Sequence, residues 1–191
     1  SGQLPQDIPN QEFTWETKTK TLLKDWGFTE LYTYSLVSQK ILENCGFDPK
    51  NCLKIANPLT EEWEYLRPSL IPGILKVIEE NLANFEKIKV FELSKSYLPK
   101  KGDLPHEKSS LTGAVLGESF SEVKGTIEAL LGELGIKNFV FEPYHPPTIY
   151  HPARTAEIVF GKKTIGVIGE IHPVTGAKFD IDKHLVVFDF D

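Results

Sequence analysis

The sequence predicts an α+β domain with a mainly antiparallel sheet flanked by helices, and three observations carry that prediction. Segments with strand character outnumber those with helical spacing. Their connections are hairpins or short helices rather than regular βαβ repeats. The chain has 191 residues, 40% hydrophobic and 25% charged, which is ordinary globular composition and enough for a single substantial core.

Residues 1–10, with two prolines and little apolar content, read as a leader or linker, and residues 11–191 as the folded domain. Trp15, Thr19, Leu22, Leu23 and Trp26 share one face of a first helix, for which Gly27 is a natural stop. Two tryptophans on one stripe suit either a core or an interface. The β-branched and aromatic run at 30–37 reads as a strand, and Ser38 caps a short helix through Cys45 that Gly46 closes.

The densest signal is residues 57–85, where an Asn-Pro break, an acidic loop, an Arg-Pro-Ser turn and an amphipathic helix follow without a gap. Ser69 is placed to cap, Pro72 sits where its missing N–H is harmless, and Ile74, Leu75, Ile78, Leu82 and Phe85 recur at helical spacing. A strand opens at Lys89, a Pro-Gly-charged loop covers 97–108, and 111–116 is a strand whose Gly113 and Ala114 permit close approach. Ser119 and Glu122 have capping-box spacing ahead of Val123, Ile127, Leu130, Leu131 and Leu134, a helix ended at Gly135. Residues 139–141 form a short strand, 145–152 a rigid Pro-rich connection, 156–160 and 164–171 a hairpin, and 185–190 a last strand.

The formal charge of -6 has no basic block beside it; Lys100-Lys101 and Lys162-Lys163 are isolated pairs, so direct nucleic-acid binding is not expected. Cys45 and Cys52 lack C-x-x-C spacing and a nearby histidine, which points to reduced, packed thiols rather than zinc. No apolar run reaches membrane-spanning length and no secretory leader opens the chain, so a cytoplasmic protein without membrane contact is expected. A start at Ser-Gly-Gln and the lack of any methionine fit an excised piece.

Chemistry-bearing residues are sparse. The chain has two arginines. Arg67, just before a helix, suits an anion contact or an ion pair with Glu61, Glu62 or Glu64; Arg154 has the same ambiguity. His145, His151 and His172 sit beside prolines, where fixing a turn is their expected role, while His106 and His184 are loop and strand-edge positions. Glu170 and His172 read as a satisfied polar edge rather than an acid/base pair. No Gly-x-Ser-x-Gly elbow is present, and Gly-Val-Ile-Gly is too short for a dinucleotide loop. Catalytic, cofactor-binding and metal residues are therefore expected to be none.

The runs N-P-L-T-E-E, L-R-P-S-L-I-P-G-I-L and V-F-E-L, with 120–135 and 150–173, resemble the core domain of the phenylalanyl-tRNA synthetase beta subunit, and the resemblance covers about 13–191. It implies the class II aminoacyl-tRNA synthetase-like core. It also implies a scaffold for a catalytic alpha subunit in an assembly of two of each, with ATP and magnesium used by the assembled enzyme and tRNA met only through it. The first signature motif of that superfamily builds a subunit interface, making Trp15, Thr19, Leu22, Trp26, Tyr32 and Tyr34 candidate interface residues and self-association in isolation an expectation. Where catalytic members carry Phe-Arg-x-Glu, this chain has Ser96-Tyr97-Leu98-Pro99, and no arginine follows Gly166-Val-Ile-Gly169. Ala153 stands where the family usually has glycine. The competing readings are a self-sufficient ligase, and a free-standing regulatory paralogue that binds an amino acid or a protein partner without chemistry.

Overall fold

The structure, a computed structural model, describes residues 11–144 and 149–191, so the expected leader at 1–10 and His145 lie outside the described residues. Helix α1 (Gln11–Asp25) buries Thr19 and Leu23 and is followed by Gly27 at φ 84°. The strand expected over 30–37 is instead two short ones, β1 (Thr29–Glu30) and β2 (Leu36–Val37). Arg67 ties down the residues between them: its guanidinium donates to the Thr33 carbonyl, and its backbone N–H donates to the Ser35 carbonyl, extending the pairing of β2 toward Leu66.

Helix α2 (Gln39–Asn44) starts at Ser38, whose hydroxyl accepts the Ile41 N–H, as expected. Strands β3 (Leu53–Lys54) and β4 (Tyr65–Leu66) join β2 in a small antiparallel sheet of order β2-β4-β3. Helix α3 (Ile71–Asn81) has Ser69 Oγ accepting from the Ile71 N–H and buries Ile74, Leu75 and Ile78 completely. Leu82 packs against the same core, but Phe85 lies past the helix end and is 56% exposed, so the apolar stripe is one turn shorter than its spacing suggested.

Strands β5 (Ile88–Leu98) and β6 (His106–Leu116) pair along their whole length, from Ile88 opposite Leu116 to Leu98 opposite His106. The loop expected over 97–108 therefore shrinks to 99–105, because the hairpin continues outward on backbone pairing and a Lys95–Glu107 ion pair. Helix α4 (Phe120–Glu133) opens with the expected capping box at Ser119 and Glu122. Then come β7 (Phe139–Pro143), β8 (Tyr150–Phe160), β9 (Lys163–Ile171), the one-turn α5 (Pro173–Gly176) and β10 (Leu185–Phe190).

The main sheet has the order β1-β5-β6-β10-β9-β8-β7, antiparallel throughout except for β1 beside β5. The last strand is thus inserted at the centre, between β6 and β9, with both faces covered, which is why Val186, Val187 and Phe188 form an uninterrupted buried run. Helices α1 and α4 cover one face through Leu23, Val123, Ile127 and Leu131 against Phe91, Ile158, Ile168 and Phe188. Helix α3 covers the other through Ile74, Leu75 and Ile78 against Val90, Ala114, Leu116 and Val187. A Cβ on Gly113 would fall inside the Phe188 ring, so this glycine permits the close approach expected of it.

Candidate functional site

Strand register places Glu92, Thr112, Asp189, Val167 and Glu157 side by side across β5, β6, β10, β9 and β8. Directly opposed residues share a face of the sheet, and two positions along lie Val90 and Val187, which pack under α3. The row therefore crosses the α3 face just beyond its apolar core.

At one end of the row Arg67 and Glu92 are 2% and 1% exposed and meet at 2.8 Å. The guanidinium donates further to Thr33 Oγ1 at 2.8 Å, Ser94 Oγ at 2.7 Å and the Lys95 carbonyl at 3.0 Å, while Thr33 Oγ1 donates to Glu92 Oε2 at 2.6 Å. Its acid is thus Glu92, not Glu61, Glu62 or Glu64. The strand geometry that turns Arg67 inward leaves the acidic loop outside, where Glu64 meets Lys54 at 3.4 Å. Arg67 is a structural cation tying the small sheet to β5, with each guanidinium nitrogen hydrogen-bonded.

Asp189, in the middle of the row, has a different environment. It accepts the Thr112 hydroxyl, and burial pushes its carboxyl up to about 6; nearby Asp191 acts in the same sense, while the Thr112 hydrogen bond and Lys108 oppose it. Lys108 is itself paired with Asp191 at 2.5 Å. Beside Asp189 opens a cavity of about 520 Å³ lined by Cys45, Phe47, Ile71, Tyr144, Tyr150 and Val167 among others.

Arg154 reaches Glu170 at 2.6 Å, and His184 Nδ1 meets the same carboxylate oxygen at 2.8 Å. Burial alone would raise the Glu170 carboxyl, but hydrogen bonds from His184 and Arg154 hold it below its ordinary value. His184 is the partner that sequence spacing missed; the two residues meet only because β9 and β10 are neighbours. His172 has left β9 and accepts the Val174 N–H at 3.1 Å, fixing a turn as expected, whereas His151 lies within β8, where the Pro-rich connection was expected to run to 152, and accepts the Ala153 N–H at 3.2 Å at the register shift between Tyr150 and Thr155.

The candidate interface residues separate by exposure. Thr19 is buried, and Leu22 and Trp26 pack partly against the α4-side core. Trp15, Tyr32 and Tyr34 are 47%, 78% and 62% exposed, and the Tyr34 ring meets the exposed Trp63 with centroids 5.1 Å apart and planes tilted by 45°, an aromatic that the acidic loop had hidden among glutamates. Below Tyr32, burial works to raise the Glu30 carboxyl, yet hydrogen bonds from Lys20, Lys24 and Tyr32 bring it down to about 2.

Both cysteines are free, and burial pushes the Cys45 thiol up to about 12. Among the described residues no grouping of His, Cys, Asp and Glu could hold a metal ion, and no helix is long and apolar enough to cross a membrane.

A family model described as the phenylalanyl tRNA synthetase beta chain CLM domain matches residues 1–191. The phenylalanine–tRNA ligase beta subunit of Geobacter metallireducens is 31% identical over 205 residues, covering 97% of this chain and 26% of that protein. Its counterpart in Clostridium tetani is 29% identical over 184 residues, covering 92% and 23%. The chain thus spans about a quarter of the length of these relatives. Pyrrolysyl-tRNA synthetase from Desulfitobacterium hafniense superposes with a TM-score of 0.75 at 19% identity, over 93% of this chain and 65% of that one. At that identity the likeness concerns the fold, which is the expected class II synthetase-like core.

Proposed function

The chain belongs to the phenylalanyl-tRNA synthetase beta chain CLM-domain family, and from that premise we propose that it is a non-catalytic synthetase-like module that scaffolds the catalytic alpha subunit of phenylalanine–tRNA ligase. The observation that carries this reading is the fate of its two arginines. Activation of an amino acid on ATP needs cations aimed at developing phosphoryl charge. Here Arg67 is enclosed by Glu92, Thr33, Ser94 and Lys95, and Arg154 is bound to Glu170. At the outer end of the β5–β6 hairpin, Leu98 stands opposite His106 and offers no phosphate contact.

These residues do not fit ATP with magnesium, so nucleotide, metal and phenylalanine belong to the partner subunit in this proposal. The tRNA is met through the assembly, whose place is the cytoplasm. Trp15, Tyr32 and Tyr34, with Trp63, are the exposed aromatics from which an interface would be built, since such side chains supply contact area at low entropic cost.

The test co-expresses the chain with a phenylalanine–tRNA ligase alpha subunit. Co-purification at fixed stoichiometry is expected, with phenylalanine-dependent pyrophosphate exchange in the alpha subunit or the complex and none in the isolated chain. Trp15→Glu should weaken pairing while leaving the circular-dichroism spectrum unchanged, because a carboxylate is costly in an apolar contact and nearly neutral in water. Exchange by the pure chain, or no pairing at all, would overturn the proposal. Unaltered pairing by Trp15→Glu would remove α1 from the interface.

A further inference from the structure

Two acids lie in the same transverse row of the sheet, two strands apart, and they are treated oppositely. Glu92 is provided with a guanidinium and the Thr33 hydroxyl. Asp189 is provided with one hydroxyl and, among the described residues, no cation within bonding distance. Asp189 is half-buried; a carboxylate withdrawn from water without a counter-charge is costly, and where the first acid meets Arg67 the second meets open volume.

That volume has the character of a ligand site. It measures about 520 Å³, within the range of small-molecule pockets. Its walls are mostly apolar or aromatic, contributed by α2's end, α3's start, β8 and β9. The Tyr150 ring packs against Gly169 of β9, where a Cβ would stand 2.6 Å from it, so the glycine lets an aromatic wall settle onto the sheet near Asp189.

We infer that the cavity binds a small apolar molecule carrying a protonated amine, with the amine on the Asp189 carboxylate and the apolar body against Tyr150, Ile71 and Phe47. The assignment is independent of the subunit reading, because it needs neither the partner chain nor nucleotide. The ammonium supplies what Arg67 supplies to Glu92, and the apolar walls recover the free energy of removing its hydrocarbon from water.

The groups facing Asp189 make the pH dependence interpretable. Burial pushes the Tyr144 and Tyr150 hydroxyls and the Cys45 thiol up, further from neutrality, so these walls stay uncharged there. Lys108 is paired with Asp191, and the Lys178 ammonium is held by the Asn44 carbonyl at 3.3 Å. Asp189 is then the wall group that gains charge between acid and neutral pH. One unit below its pKa an acid is about one-tenth ionised, so affinity for an amine should fall roughly tenfold from about pH 7.5 to about pH 5.

Calorimetric titration with 2-phenylethylamine, which stays protonated over this range, and with 2-phenylethanol as its neutral isostere tests the inference. Saturable binding of the amine is expected, at least about tenfold tighter than the alcohol at neutral pH. Asp189→Asn, nearly isosteric and still able to meet Thr112, should abolish that preference. Equal affinity for the two compounds, retention of the preference in Asp189→Asn, or no saturation at millimolar amine would overturn it. Should the variant fail to fold, the wild-type pH profile decides, since a flat profile is incompatible with a titrating carboxylate at the site.

Discussion

Replacing Arg67 by methionine removes a cation that is 2% exposed and makes five hydrogen bonds, to Glu92, Ser94, the Lys95 carbonyl and both oxygens of Thr33. What remains is Glu92, 1% exposed, with, among the described residues, only the Thr33 hydroxyl to share its charge. Breaking a buried pair in this way costs about 3 to 5 kcal/mol, a large part of the roughly 5 to 15 kcal/mol that holds a domain together. Arg67→Lys should also be costly, because an ammonium cannot span the fork of acceptors presented by β5 and the Thr33 segment. Removing both charges together, as Arg67→Met with Glu92→Leu, should cost far less than the sum of the single changes, with a coupling of about 2 kcal/mol or more. Urea unfolding at neutral pH, with the denaturant slope checked for constancy across the four proteins, measures the cycle. Additivity within about 0.5 kcal/mol would refute the argument, since residues that share a buried network do not behave independently.

Ile78, fully buried beneath α3, should cost about 2 to 5 kcal/mol when replaced by alanine, and a denaturation shift below about 0.5 kcal/mol would place it at the surface. Asp189 predicts a pH effect of the opposite kind: its carboxyl is raised from 3.8 to about 6, so the folded chain binds the extra proton between these values and stability falls as pH rises through them. Asp189→Asn should therefore unfold later than the parent above about pH 6.5, by at most about 3 kcal/mol, and show no advantage near pH 3.5. An equal effect of the substitution at both pH values in thermal unfolding would rule out a charge penalty at this position.

The elements visible in the sequence are those whose signals are local. The capping box at Ser119 and Glu122, the serine cap of α2, the apolar period of α3 and the β8–β9 hairpin each depend on residues within one or two turns of each other, although Lys163 pairs with Phe160 and so shortens the three-residue turn expected at 161–163. Phe85 shows where such a signal stops being sufficient: it keeps the helical spacing, but α3 ends at Asn81 and the ring remains in water. The break at 31–35 was hidden for a different reason. Its composition is that of a strand, and the residue that holds the Thr33 and Ser35 carbonyls is the distant Arg67.

The candidate site was legible as a set of residues and not as a set of partners. Scarcity of arginine can be counted along a chain, whereas the identity of the acid that consumes each arginine depends on strand order. Arg67 and Glu92 are 25 residues apart, and Arg154 and Glu170 are 16 apart. Asp189 is the clearest case, since in sequence it is one polar residue in the alternation Val-Phe-Asp-Phe-Asp, with the spacing of a solvent-facing position. The insertion of β10 between β6 and β9 turns that position into the middle of a covered sheet, between Thr112 and Val167. The same insertion brings His184 to Glu170 and the Phe188 ring onto Gly113. One long-range pairing therefore determines the environments of Asp189, His184 and Phe188, and strand order, more than residue identity, separates the ion-paired acids Glu92 and Glu170 from Asp189, which has a hydroxyl and no counter-charge among the described residues.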